Sequence, residues 1–220
     1  MSAHLAIAAA VTLAGLAALR ARRGSSSRGV PSMDAAYDRL LENALAAPAL
    51  KAWLLEQYEE ALDELSGEDQ VDRAIEWLDT EHGISLVGGE WPTVGYIGQK
   101  ERLLLRGVPF VLYHGTSSEV WGKIQEQGRL RPARTQEQVS DTMTSTRAGV
   151  YLTSDWSHVP FYARQAVARH GGQPVILSVL VYEPELERDP DDMDLAQGRF
   201  QWVTPQVSLD RVVEVDGRRR

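Results

Sequence analysis

Residues 110–162 constrain this chain more than any other stretch, because an apolar run there stops abruptly on groups that carry chemistry. Phe110-Val111-Leu112-Tyr113 has strand character and leads straight into His114-Gly115-Thr116-Ser117. A buried strand of this kind delivers an imidazole, a glycine and two hydroxyls to its carboxyl end. Further along, Gly149-Val150-Tyr151-Leu152-Thr153 repeats the form: a glycine, a short β-branched and aromatic run, and a terminal hydroxyl. Two strand ends with polar or aromatic tips imply one site.

The segments between and after these strands follow from local signals. Ser117 or Ser118 caps a helix carrying Val120, Trp121 and Ile124, and Gly128 stops it. Leu130 and Pro132 lead into 134–147, a polar stretch without period that reads as a mobile loop beside the site. Asp155 or Ser157 starts a second helix with Phe161, Tyr162, Ala166 and Val167, ended by His170-Gly171-Gly172. Residues 174–182 form a strong strand, 183–194 an acidic connection, 199–204 another strand, and 207–215 the last β-rich run. Strands and helices here do not alternate as in a doubly wound sheet, so the fold class is α+β.

Upstream, the periodicity is helical. Tyr37, Leu40, Leu41, Ala44 and Leu45 make one amphipathic stripe. After Pro48, a second stripe runs from Leu50 through Trp53, Leu54, Tyr58 and Leu62 to Leu65, ending near Ser66-Gly67. Val71, Ile75 and Leu78 mark a third, closed by His82-Gly83. Between 83 and 107, glycine-broken runs such as Ile84-Ser85-Leu86-Val87 read as turns and short strands, and 102–105 reads as one more such run. The expected organisation is an apolar segment and flexible linker over 1–32, a helical accessory region over 33–90, and the site-bearing domain over 91–220.

Residues 5–19 are almost unbroken Ala, Leu, Val and Ile, followed by Arg20, Arg22 and Arg23. This is shorter than the roughly 20 residues that span a bilayer. Three readings stay open: a weak membrane anchor, with the arginines holding the remainder in the cytoplasm; an alanine-rich helix in solution; and an over-extended start with Met33 as the beginning. A formal charge of -8 argues against general nucleic-acid binding, which needs a positive surface. With no cysteine in the chain, thiolate nucleophiles and thiolate metal sites are excluded. Histidine, carboxylate and hydroxyl chemistry remain.

The spacing of the companions of His114 narrows that chemistry. Tyr162 follows Tyr151 by eleven residues, and 128–132, Gly-Arg-Leu-Arg-Pro, forms a turn after the first helix of the site. From about Val108 to Val215 the chain resembles the ADP-ribosyltransferase superfamily, on the branch of the poly(ADP-ribose) polymerases and diphtheria-like toxins. That family has a His-Gly-Ser/Thr element, a Gly-Ile/Val-Tyr strand, and a helix with a second tyrosine at the same interval. The resemblance implies a split β-sheet core with helices, NAD as substrate and no metal. It further implies that His114 bonds the adenosine ribose, that the Gly115 backbone pairs with the nicotinamide carboxamide, and that Thr116 assists there. Tyr151 and Tyr162 would sandwich the ring. The missing Cβ of Gly115 would let the ligand approach closely.

The family's third element is a glutamate at the start of the last active-site strand, and this chain departs from it. An ungapped alignment places Gly198 there, and no acidic residue lies between Asp194 and Asp210. Gln197 and Gln201 are the nearest polar side chains, and Gln201 is the candidate within the strand. A neutral amide bonds ribose hydroxyls without supplying a full negative charge, so polymer synthesis gives way to mono-transfer. The expected activity is mono-ADP-ribosylation of a protein or nucleic-acid acceptor with release of nicotinamide. An RNA 2′-phosphotransferase on the same fold, with Arg131, Arg134 and Arg147 near the phosphate, and an inert NAD- or ADP-ribose-binding module are the alternatives. Val159 stands three residues before Tyr162, where the family often has a serine. His158 is a further candidate at the helix start, His82 and His170 read as helix-end caps, and Asp189-Pro190-Asp191-Asp192 reads as a solvated turn.

Overall fold

The computed structural model describes residues 32–130, 132, 138–140, 143–144, 148–189 and 201–219. The apolar 5–19 segment, Arg131, Arg134, Arg147, 190–192, Gln197 and Gly198 lie outside them. By its internal contacts the chain divides into two units, one holding 97–108 with the preceding helices and the other holding 93–96 with everything from Pro109 on.

The first unit is helical. α1 (Met33–Leu45) starts where the Ser32 hydroxyl accepts from the Ala35 N–H, and it buries Leu40, Leu41 and Ala44. α2 (Pro48–Gln57) opens on proline, whose missing N–H is no loss in a first turn. It is shorter than the sequence stripe predicts: Glu59 takes a positive φ of 56°, and only a 3₁₀ turn, Leu62–Glu64, continues toward Ser66. α3 (Gly67–His82) is capped by Ser66 and ended by Gly83 in the left-handed conformation. β1 (Ile84–Ser85) follows, and then α4 (Gln99–Leu104), where the sequence predicts a short strand run. Its helical form is held by the Asn43 side chain, which donates to the carbonyls of Leu104 and Arg106 at 2.7 and 3.1 Å. Leu40, Leu50, Leu54 and Leu78 have no exposed surface in this core.

The second unit is a mixed sheet with helices. β2 (Thr93–Val94) runs parallel to β3 (Pro109–Ser117), α5 (Ser118–Gln127) follows β3, and β4 (Arg129–Leu130) follows α5. The short pair β5 (Gln138–Ser140) and β6 (Met143–Thr144) precedes β7 (Val150–Thr153). Then come α6 (Val159–His170), β8 (Pro174–Tyr182), β9 (Glu187–Arg188) and β10 (Gln201–Thr204). The run over 207–215 is two strands, β11 (Val207–Ser208) and β12 (Val212–Val215), separated by a 3₁₀ turn, and β13 (Arg218–Arg219) ends the described chain. The strand order is β13-β12-β8-β3-β7-β10-β9.

Along the whole of β3 one edge is taken by β8, from Pro109↔Tyr182 to Ser117↔Pro174. Its other edge is shared: Val111 pairs with β2 and Tyr113 with Thr153 of β7. Phe110, Leu112, Leu177, Val179 and Val181 are fully buried, as are Val159 and Ala163 on α6. Burying each large side chain contributes about 1.5–3 kcal/mol, which makes β3, β8 and α6 the rigid base of the unit. Among the described residues no helix is long and apolar enough to cross a membrane.

Candidate active site

The strand ends that the sequence singles out meet at one cavity of about 220 Å³ in the second unit. His114, Gly115, Thr116, Tyr151, Tyr162 and Gln201 all line it, together with Tyr113, Thr153 and residues of α5 and α6. They arrive from four elements. β3 brings the first three, β7 brings Tyr151, α6 brings Tyr162, and β10 brings Gln201.

The orientation of His114 follows from its partner. Its Nδ1 lies 2.9 Å from the Tyr151 carbonyl oxygen, which only accepts, so Nδ1 carries the proton and donates. In the neutral ring, Nε2 is then a lone-pair acceptor suited to a hydroxyl. Burial pushes the imidazole pKa below its ordinary value and outweighs the opposing effect of the Tyr151 carbonyl, so the neutral form is favoured.

Gly115 has a packing reason to be glycine, besides the expected close approach of a ligand. A Cβ there would lie 2.6 Å from the Ala163 nitrogen, 2.7 Å from the Val159 oxygen and 2.9 Å from the Tyr162 Cβ. The bare Cα therefore lets α6 press against β3, and that contact sets Tyr162 at the cavity. Its backbone is aimed elsewhere. Opposite Gly115, Ile176 commits both its backbone groups to Asp216 on the far side of β8, so Gly115 and Ile176 form a non-hydrogen-bonded pair. In such a pair the Gly115 N–H and C=O point away from β8. They face the edge where β7 pairs at Tyr113 and Thr153 and where the cavity lies.

Gln201 is 7% exposed, and its side-chain amide donates to the Tyr162 hydroxyl, tying β10 to α6. Gln201 is therefore not a solvent-facing strand position. Thr116 is buried at 2% exposure, and Val159 is buried beneath the Gly115 contact. Lys123 of α5 and Arg169 and His170 of α6 also line the cavity, and no carboxylate does so among the described residues. In a chain of net charge -8, that local balance suits an anionic group on the ligand.

Other candidates fall away from the cavity. His158 turns to Asp155, with its Nδ1 at 2.9 Å from Oδ2, and does not line the pocket. Asp155 also accepts from the Ser157 N–H and hydroxyl at 2.9 and 2.6 Å. These contacts form a turn before α6, so the helix begins at Val159, later than either predicted cap. Burial pushes the Asp155 carboxyl up, but the bonds from Ser157 and His158 bring it net below its ordinary value. His82 ends α3 as expected and also meets Glu101 at 2.7 Å inside the first unit. Asp189 corrects its reading as part of a solvated turn, for it is 2% exposed.

What sequence reasoning misses is the cationic rim, since Lys123 and Arg169 sit on helix faces whose orientation only packing decides. Among the described residues no group of three or more His, Asp and Glu side chains is placed to hold a metal ion. Comparison with models of known protein families, with curated proteins and with solved structures finds no match.

Proposed function

We propose that the protein is an NAD-dependent mono-ADP-ribosyltransferase on an ADP-ribosyltransferase-like split sheet, modifying a protein or nucleic-acid acceptor and releasing nicotinamide. The observation that carries the reading is the meeting of His114, Tyr151, Tyr162 and Gln201 at one cavity toward which the Gly115 backbone is turned. A carboxamide needs one donor and one acceptor held in a plane, and the Gly115 N–H and C=O offer both. Tyr151 and Tyr162 offer flat apolar faces from two separate elements, β7 and α6. The neutral His114 accepts from a ribose hydroxyl through Nε2, and Lys123 and Arg169 suit the diphosphate.

In the reaction the bond between the ribose anomeric carbon and the nicotinamide nitrogen breaks, and its electron pair leaves with neutral nicotinamide. The sugar passes through an oxocarbenium-like state. A lone pair of the acceptor nucleophile forms the new bond, and the nucleophile's proton goes to water. The protein's part is to orient the bond, exclude water from the ring and place partial negative charge near the sugar. Gln201 does the last through its amide oxygen, with its nitrogen committed to Tyr162.

The test is nicotinamide release by the full chain incubated with labelled NAD. Tyr151→Ala is expected to lower release at least about 100-fold with the melting temperature little changed, because a reacting bond that loses its positioning surface loses most of its rate. Unchanged turnover in that variant would sink the reading. Lys123 and Arg169 also suit the phosphate of an RNA. Transfer of a labelled RNA 2′-phosphate to NAD would assign phosphotransfer instead, and calorimetric NAD binding without turnover would assign a binding module.

A further inference from the structure

We infer that Asp189 is a positioning residue of this site, a buried carboxylate that acts through Gln201 and supplies the negative charge missing from β10. The inference rests on the reading of the cavity as a place of glycosidic cleavage in NAD.

The strand register carries it. Trp202 pairs with Arg188 and Val203 with Glu187, and the Asp189 N–H donates to the Gln201 carbonyl at 3.1 Å, so the same ladder sets Asp189 directly opposite Gln201. Directly opposed residues on antiparallel strands project from the same face. The row continues across the sheet, since Gln201 pairs with Thr153, Thr153 with Tyr113 and Tyr113 with Ser178. Tyr113, Thr153 and Gln201 of this row line the cavity. Asp189 is the next member, one position past β9.

Burial says that the position is selected by something other than solubility. Among the described residues of the second unit, Asp189 is the one buried carboxylate, at 2% exposure. A carboxylate held out of water is costly and acts over a longer range than one at the surface, because water screens it less. Here it stands beside an amide whose nitrogen already donates to Tyr162. Its charge favours the sugar's positive transition state and orients the Gln201 amide, while Gln201 alone touches the substrate. Two neighbouring strands thus share the work of one acidic residue: contact from β10, charge from β9.

The experiment measures kcat and KM for nicotinamide release by the full chain. Asp189→Asn is expected to lower kcat about 30-fold, somewhat less than the loss of a direct transition-state contact, with KM within about twofold. Asp189→Glu should recover most of it. A second variant leaves Asp189 intact: Gln201→Glu puts two carboxylates on opposed positions, where each disfavours ionisation of the other, so the acid limb of its kcat profile should lie above the ordinary carboxylate range. Wild-type kcat in Asp189→Asn, a loss seen only in KM, or an ordinary carboxylate limb in Gln201→Glu would each overturn the assignment of Asp189 while leaving the proposed activity standing. Absence of any NAD turnover or binding in the wild-type chain would overturn both.

Discussion

Among the described residues, each unit of the molecule buries one carboxylate, and the two stand in different surroundings. In the helical unit, Glu101 is 7% exposed and is consumed by its own fold: one oxygen meets His82 Nδ1 at 2.7 Å and the other accepts from the Gly98 N–H at 3.0 Å. Trp77 packs edge-on against the His82 ring and completes the enclosure. In the sheet unit, Asp189 is deeper still, yet it lies on a row of residues that opens into a cavity. Burial alone does not separate structural from functional charge. What separates them is whether the neighbouring polar groups close on one another or face an open volume.

The strongest way to break this comparison is to remove Glu101. Glu101→Ala leaves His82 enclosed without its partner and is expected to destabilise the protein by about 3–4 kcal/mol, read from urea unfolding. Nicotinamide release per folded molecule should stay at the wild-type level. A loss of turnover in that variant would show that the helical unit shapes the site after all.

A smaller effect tests the sheet side. Gly115→Ala forces a Cβ within 2.6–2.9 Å of α6 backbone and of Tyr162, so the helix must move or the strand must bend. The expected cost is about 2 kcal/mol of stability, together with a higher KM because Tyr162 is displaced. A variant with native stability and native KM would mean that the contact between α6 and β3 does not position the tyrosine.

The smallest expected effect is the pH dependence of His114. Burial lowers its pKa in the folded state, so below the ordinary value of 6.5 the unfolded chain takes up a proton that the folded chain refuses. The stability due to this group is fully present above 6.5 and is lost as the pH falls toward the lowered folded value. His114→Gln should therefore flatten the dependence of unfolding free energy on pH below the ordinary value of 6.5, as measured by denaturation at neutral pH and at successively lower pH. An unaltered slope would mean that His114 is solvated rather than enclosed against Tyr151.

Much of the fold is legible in the order of residues alone, wherever a local rule acts. The cap at Ser117 and the left-handed glycines 83 and 128 sit where their residue types predict, because capping is decided within one turn of chain. Reading fails where two local outcomes are close in energy. Residues 102–105 have apolar content that fits a strand or a helix, and the bonds from Asn43, far away in sequence, favour the helix. The second stripe reads straight through Glu59 because periodicity counts side chains and ignores a backbone that turns to positive φ.

By itself the sequence determined which chemical groups this protein can bring to a site: an imidazole and a glycine at one strand end, a tyrosine at another, a second tyrosine eleven residues on, and an amide in place of an acid. These are properties of neighbouring residues and survive without knowledge of the fold. Only the tertiary structure decided that the missing Cβ of Gly115 serves α6, that Gln201 is held by Tyr162, and that Asp189 leaves its acidic run to lie buried opposite Gln201. The physical reason is register. A strand's partners are set by pairing with segments remote in sequence, and a slip of one residue would turn Asp189 to the other face of the sheet.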